Sequence, residues 1–148
     1  MDIAFHQAGR AEIAQLVQFM REYYAFDRLP FDEDRARGAL TALVGDESLG
    51  RVWLICAAGA AIGYVVLTLG YSLEYGGRDA FIDELYVREA YRGQGVGTRA
   101  LSFAAEVCRA LGVRALHLEV ERANRGAYDV YRRAGFVDHD RYLMTKRI

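Results

Sequence analysis

The chain has 148 residues, 53% of them hydrophobic and 26% charged, with a single proline. That is the size and composition of one ordinary globular domain, and it excludes disorder and low-complexity repeats. Nineteen basic residues against twenty acidic ones leave a formal net charge of −1, so no global positive field exists to hold nucleic acid or an anionic membrane. Lys146 is the only lysine, which removes readings that need a lysine nucleophile or a phosphate-loop lysine. Cys56 and Cys108 belong to no Cys-x-x-Cys pair; free thiols in a reducing cytoplasm are the plain reading. The opening MDIAFHQAGR lacks the apolar stretch of a signal peptide, and no apolar run approaches the roughly 20 residues of a membrane helix.

In chain order, residues 2–6 alternate as a short strand. Residues 10–26 predict a helix, because Ile13, Leu16, Val17, Met20 and Tyr24 recur at three- and four-residue spacing. Pro30 breaks the acidic and aromatic connector that follows. Residues 32–44 predict a second helix with Asp32 as its N-cap and Ala39, Leu40, Leu43 and Val44 inward. Arg51 to Ala58 and Ala61 to Leu69 predict an antiparallel hairpin. A loop leads to a fourth strand, Ala80 to Val87. Then come a glycine-rich turn, a helix from Thr98 to Leu111 closed by Gly112, a strand from Val113 to Val120, a helix from Asn124 to Ala134, and a closing strand from Arg141 to Lys146. No repeat or linker interrupts this order, so residues 1–148 are expected to form a single domain.

The turn Tyr91-Arg92-Gly93-Gln94-Gly95-Val96-Gly97-Thr98 is the sharpest feature. Glycines let the backbone turn tightly and approach a ligand, and amides at a helix start share one direction and a partial positive charge. Such a turn predicts a diphosphate site, with Arg92 and Thr98 as further donors. It is no Walker loop, since no lysine follows the glycines. It nears the dinucleotide fingerprint, but residue 98 is threonine where a third glycine belongs; Glu119, about 20 residues on, keeps that reading open as the ribose-binding acid. Asn124, Ala127 and Tyr131 share one face of the last helix and present an amide, a gap and a phenol. Taken singly, Asn124 is an ordinary N-cap and Tyr131 an ordinary core tyrosine. Ser72 lacks the glycine pattern of a nucleophile elbow, and His6, His117 and His139 share no metal-ligand spacing, so no metal is expected.

Two of these segments together resemble the GNAT superfamily of acetyl-CoA-dependent N-acetyltransferases. Arg92-Gly93-Gln94-Gly95-Val96-Gly97 fits the cofactor turn Q/R-x-x-G-x-G/A. Asn124-Arg125-Gly126-Ala127-Tyr128-Asp129-Val130-Tyr131-Arg132-Arg133-Ala134-Gly135-Phe136 is similar to N-x-x-A-x-x-L-Y-x-K-x-G-F, with Val130 and Arg133 as departures. The resemblance implies an α/β fold with a mixed, mostly antiparallel sheet of six to seven strands. About four helices would flank it, and the sheet would splay between its fourth and fifth strands. It implies acetyl transfer from acetyl-CoA to a primary amine of a small molecule or peptide, by direct attack in a ternary complex. Leu85 and Val87 would bond the pantetheine arm through their backbone. The stretch Arg92, Gly93, Gln94, Gly95, Val96, Gly97 and Thr98 would hold the diphosphate. Asn124 and Ala127 would also face the cofactor, and Tyr131 would be the general acid. Glu84, or Asp83 beside it, would be the base, with Glu119 and Glu74 in reserve; a β-bulge would re-aim one of the two adjacent carboxylates. Tyr24, Phe26, Glu74 and Tyr75, among acids and aromatics, would face a cationic acceptor. A homodimer is a family tendency. A non-catalytic acyl-CoA-binding module and a nicotinamide dinucleotide enzyme are the rival classes.

Overall fold

A computed structural model describes all residues, 1–148. The chain divides into two compact units, Met1–Leu118 and Glu119–Ile148.

The first unit carries a five-stranded sheet in the order β1-β2-β3-β4-β5. The strands are β1 (Ile3–Gln7), β2 (Gly50–Ala57), β3 (Ala60–Ser72), β4 (Gly77–Val87) and β5 (Ala115–His117). The first four pair antiparallel, and β5 joins β4 in parallel. Helices α1 (Ile13–Phe26) and α2 (Glu33–Val44) cover one face, and α3 (Val96–Ala110) the other.

Periodicity decides the helices. Ile13, Leu16, Val17 and Met20 of α1 are buried with Phe19, while Tyr24 is half-buried. Asp32 caps α2 by accepting from the Arg35 amide at 3.1 Å. The inner face of α2 is Ala36 and Leu40, with Leu43 and Val44 partly covered. Ala39, expected inward, is exposed: the stripe through 36, 40, 43 and 44 leaves it on the far side. On the α1–α2 face of the sheet lie Val52, Leu54, Tyr64, Val66 and Tyr86; on the α3 face lie Ile55, Ala57 and Ile62 against Val96 and Ala100.

The hairpin β3–β4 is longer than its sequence suggested. The segment expected as a loop pairs as far as Ser72 with Gly77, leaving only residues 73–76 as the turn. In the other direction, the strand expected over Val113–Val120 shrinks to Ala115–His117. It pairs with β4 only at Asp79, Ala80 and Phe81. From Ile82 to Val87, β4 has no neighbour on that side, which is the expected splay.

The second unit holds one helix, α4 (Arg125–Arg133). Asn124 caps it, accepting from the Ala127 amide at 3.1 Å, and Gly135, at φ 98°, ends it. Residues 141–146, expected as a strand, form none. Tyr142, Leu143 and Met144 are 71–88% exposed, and β-favouring residues make a strand only where a neighbour completes the ladder. The sheet therefore has five strands, not six or seven.

Candidate active site

The site starts from an irregularity in β4. Val66 pairs with Glu84, but the next residue, Leu67, pairs with Ile82. Asp83 is the extra residue of a β-bulge. Paired residues of an antiparallel ladder share a face. Ile82 thus lies with Leu67 on the α3 side, and Glu84 lies with Val66 on the α1 side. A regular strand would have put Ile82 and Glu84 on one face. The bulge delivers a carboxylate into the layer beneath α1.

There the two oxygens of Glu84 accept from two phenols. The Tyr64 hydroxyl of β3 donates to Oε1 at 2.7 Å, and the Tyr24 hydroxyl of α1 donates to Oε2. Burial pushes the Glu84 carboxyl above the ordinary carboxylate range, against the pull of both hydrogen bonds; the acids Asp83 and Asp27 push it further up. Burial, and then Glu84 itself, raises the Tyr24 and Tyr64 phenols, so both remain donors at neutral pH. The protein around Asp83 raises its carboxyl too, although that side chain keeps solvent contact. No ion pair involves Asp27, Asp83 or Glu84.

Beyond Glu84 the free edge of β4 begins. The Arg88 amide donates to the Ile62 carbonyl of β3 at 2.9 Å, and the Tyr86 carbonyl also faces β3, 2.0 Å from where a Cβ on Gly63 would stand. Main-chain groups alternate sides along a strand, so those of Leu85 and Val87 point to the unpartnered edge. Arg92 reaches that edge: its Nε donates to the Val87 carbonyl at 2.7 Å, and its guanidinium lies 4.2 Å over the Phe26 ring. Its charge is thus spent on β4 and α1, and what it offers the glycine turn is its place in the backbone.

The turn itself is built as expected. Gly93 and Gly95 have φ of 73° and 82°, the left-handed region. Gly95 is the N-cap of α3, and the first bond into the helix runs from the Arg99 amide to the Gly95 carbonyl at 3.1 Å. The amides of Val96, Gly97 and Thr98 precede that ladder and have no acceptor in it. A Cβ added at Gly93, Gly95 or Gly97 would meet nothing within 4 Å. This is an open cradle of donors at a positive helix end, which suits a diphosphate. The Gln94 amide steadies the turn by donating to the Ala90 carbonyl at 3.1 Å.

Other expected residues fall as follows. Tyr75 meets His117 edge-on with ring centroids 5.3 Å apart, and His117 sits 3.2 Å from Asp79 across the last rungs of β4 and β5. Glu74 is exposed in the turn before β4. Glu119 lies exposed beyond the end of β5, not on a strand end as a ribose-binding acid requires. In the second unit, the side chain of Asn124 is occupied as a cap, and Tyr131 packs against Phe136 at 6.3 Å. Sequence reasoning missed Tyr64. Tyr64 reads as a core residue of an apolar strand, and only the register across the bulge shows that it meets a carboxylate.

The chain matches a known family and is similar to known proteins. Residues 12–136 match the model of the Acetyltransferase (GNAT) family. The bovine (Bos taurus) thialysine N-epsilon-acetyltransferase is 35% identical over 77 residues, which is 52% of this chain and 45% of that enzyme. The chain is also similar to the integron cassette protein HFX_CASS3 from the mobile metagenome of Cole Harbour Salt Marsh: 39% identity, 97% of this chain, 90% of that one, and a TM-score of 0.87. A predicted acetyltransferase of Clostridium acetobutylicum, solved with acetyl-CoA, shares the fold at 16% identity and a TM-score of 0.82 over 98% of this chain and 96% of that one. With the family match running through the bulged strand, the glycine turn and the Asn124 helix, this chain belongs to the GNAT acetyltransferase family.

Proposed function

We propose that the protein transfers the acetyl group of acetyl-CoA to a primary amine carried by a small cationic molecule or peptide. The observation that carries this is the pairing, within residues 1–118, of an open diphosphate cradle with a half-buried carboxylate, joined by the free edge of β4. Bound acetyl-CoA supplies an activated thioester. The amides of residues 93–98 hold the diphosphate, and the main chain of Leu85 and Val87 bonds the pantetheine arm. On motif alone, Asn124 and Ala127 also take cofactor-binding roles and Tyr131 is the general acid.

An alkylammonium titrates near pH 10, so the acceptor must lose a proton before it attacks. Glu84 takes that proton. Its raised affinity for a proton brings it closer to working pH than an exposed carboxylate, which favours general-base catalysis. The amine nitrogen then bonds to the carbonyl carbon, the carbon–sulfur bond breaks, and the departing thiolate takes a proton from the Tyr131 phenol. The nitrogen sheds its second proton as the amide forms, which restores the phenol through solvent, and Glu84 returns its proton to bulk water. Holding amine and carbonyl in contact supplies much of the rate.

Asp27, Asp83 and Glu84 give the acceptor side an unpaired negative charge, with Tyr24 and Phe26 of α1 beside it; Glu74 and Tyr75 lie toward the other end of β4. This suits a cationic acceptor, as does the similarity to an enzyme named for thialysine. We read the chain as one cytoplasmic domain, because the family match runs across both units and the cysteines are free. A homodimer rests on family tendency alone.

The test is a panel of acceptors, including thialysine, polyamines, aminoglycosides, peptide N-termini and neutral amines, assayed by release of free CoA thiol. Turnover with cationic primary amines is expected. Tight CoA binding with no transfer to any acceptor identifies a non-catalytic module instead.

A further inference from the structure

Glu84 is held from two sides by groups that belong to different layers. Tyr64 is fully buried in β3, with its ring stacked on Phe19 at 6.3 Å. Tyr24 stands on α1, edge-on to Tyr23 and Phe31 at 5.6 Å each. Neither ring is free to turn away, so the two hydroxyls meet the carboxylate at fixed points. Each carboxylate oxygen has two lone pairs, and each gives one to a phenol.

Resting on the reading of Glu84 as the base, we propose that Tyr24 and Tyr64 are positioning residues that aim the carboxylate and keep it ionised beneath α1. The remaining lone pair on each oxygen is left for the acceptor's N–H. Tyr24, expected to line the acceptor pocket, acts through Glu84.

The charges around Glu84 make the need clear. Asp83 beside it on β4 and Asp27 at the end of α1 both oppose its ionisation, and burial opposes it more. From β3 comes the Tyr64 phenol, from α1 the Tyr23 and Tyr24 phenols, and α2 turns Ala36 and Leu40 into the core. The cation at the end of β4, Arg88, is committed to Glu22 of α1 at 2.8 Å and 3.1 Å. The two phenols are what favour the carboxylate form.

The experiment follows the Glu84 carboxyl carbon by NMR titration of carboxyl-labelled protein, in the wild type, Tyr24→Phe and Tyr64→Phe, beside the pH profile of kcat/KM. A hydrogen bond to a charged group is worth about one pH unit of titration. Each variant should therefore raise the Glu84 midpoint by about one unit. The acid limb of kcat/KM should move up with it, a loss of about tenfold on that limb that is recovered as pH rises. A loss from misfolding alone has no such pH dependence, and Tyr24→Phe, at a half-buried site, carries the test where Tyr64→Phe fails to fold. Unchanged or lowered midpoints overturn the proposal. A midpoint that moves while the limb stays, or a Glu84→Gln variant of full activity, overturns the base assignment on which it rests.

Discussion

Glu84 shows how a single side chain acquires its chemistry from what surrounds it. Burial raises its carboxyl and two phenols hold it in place. Glu84→Gln is expected to lower kcat by about a hundredfold or more, the range of a lost general base, with little change in affinity for acetyl-CoA. The same burial makes a stability prediction. A carboxyl whose folded value lies above its unfolded value contributes stability at low pH and loses it as pH rises through the folded value. Glutamine does not titrate. The melting temperature of Glu84→Gln minus that of the wild type should therefore grow with pH above the ordinary carboxylate range; a difference that is flat or falls with pH contradicts the environment described. Tyr131→Phe, by contrast, is expected to slow turnover while preserving CoA affinity, as measured by stopped turnover assays and calorimetry.

Among the elements, β4 carries the proposed base and the free edge, and its irregularity matters more than its hydrophobicity. Its existence was legible, as were the glycine turn and the capped helices, because apolar period, Asp32, Gly112 and Asn124 are local signals. The facing of Glu84 was not. Asp83 and Glu84 are adjacent acids, and choosing between them needs the register with Val66 and Leu67, a long-range fact. The short β5 and the missing strand at 141–146 have the same origin: propensity cannot say whether a neighbour is present. At Gly63 of β3 the β4 backbone leaves no room for a side chain. A Cβ there would stand 2.0 Å from the Tyr86 carbonyl, so Gly63→Ala must part the strands that aim Leu85 and Val87. It should lower the melting temperature and weaken CoA binding together. Asp32→Ala, which removes only the α2 cap, should cost about 1 kcal/mol in denaturant unfolding and leave CoA binding intact.

For the molecule as a whole, net charge is near zero, while Asp27 and Asp83 place negative charge beside Glu84 on the proposed acceptor side. Attraction between exposed charges weakens with salt. KM for a cationic acceptor should accordingly rise with ionic strength more than it does for a neutral amine, checked by initial rates at several salt concentrations. The most direct measurement of the central claim is calorimetric titration of acetyl-CoA into the wild type and into Gly95→Val. Valine at φ 82° is strained, and its side chain projects into the open space before α3. The wild type should bind with one site per chain, and the folded variant, checked by circular dichroism, should show at least a hundredfold weaker affinity. Equal affinity in both, or no binding by the wild type, contradicts the account.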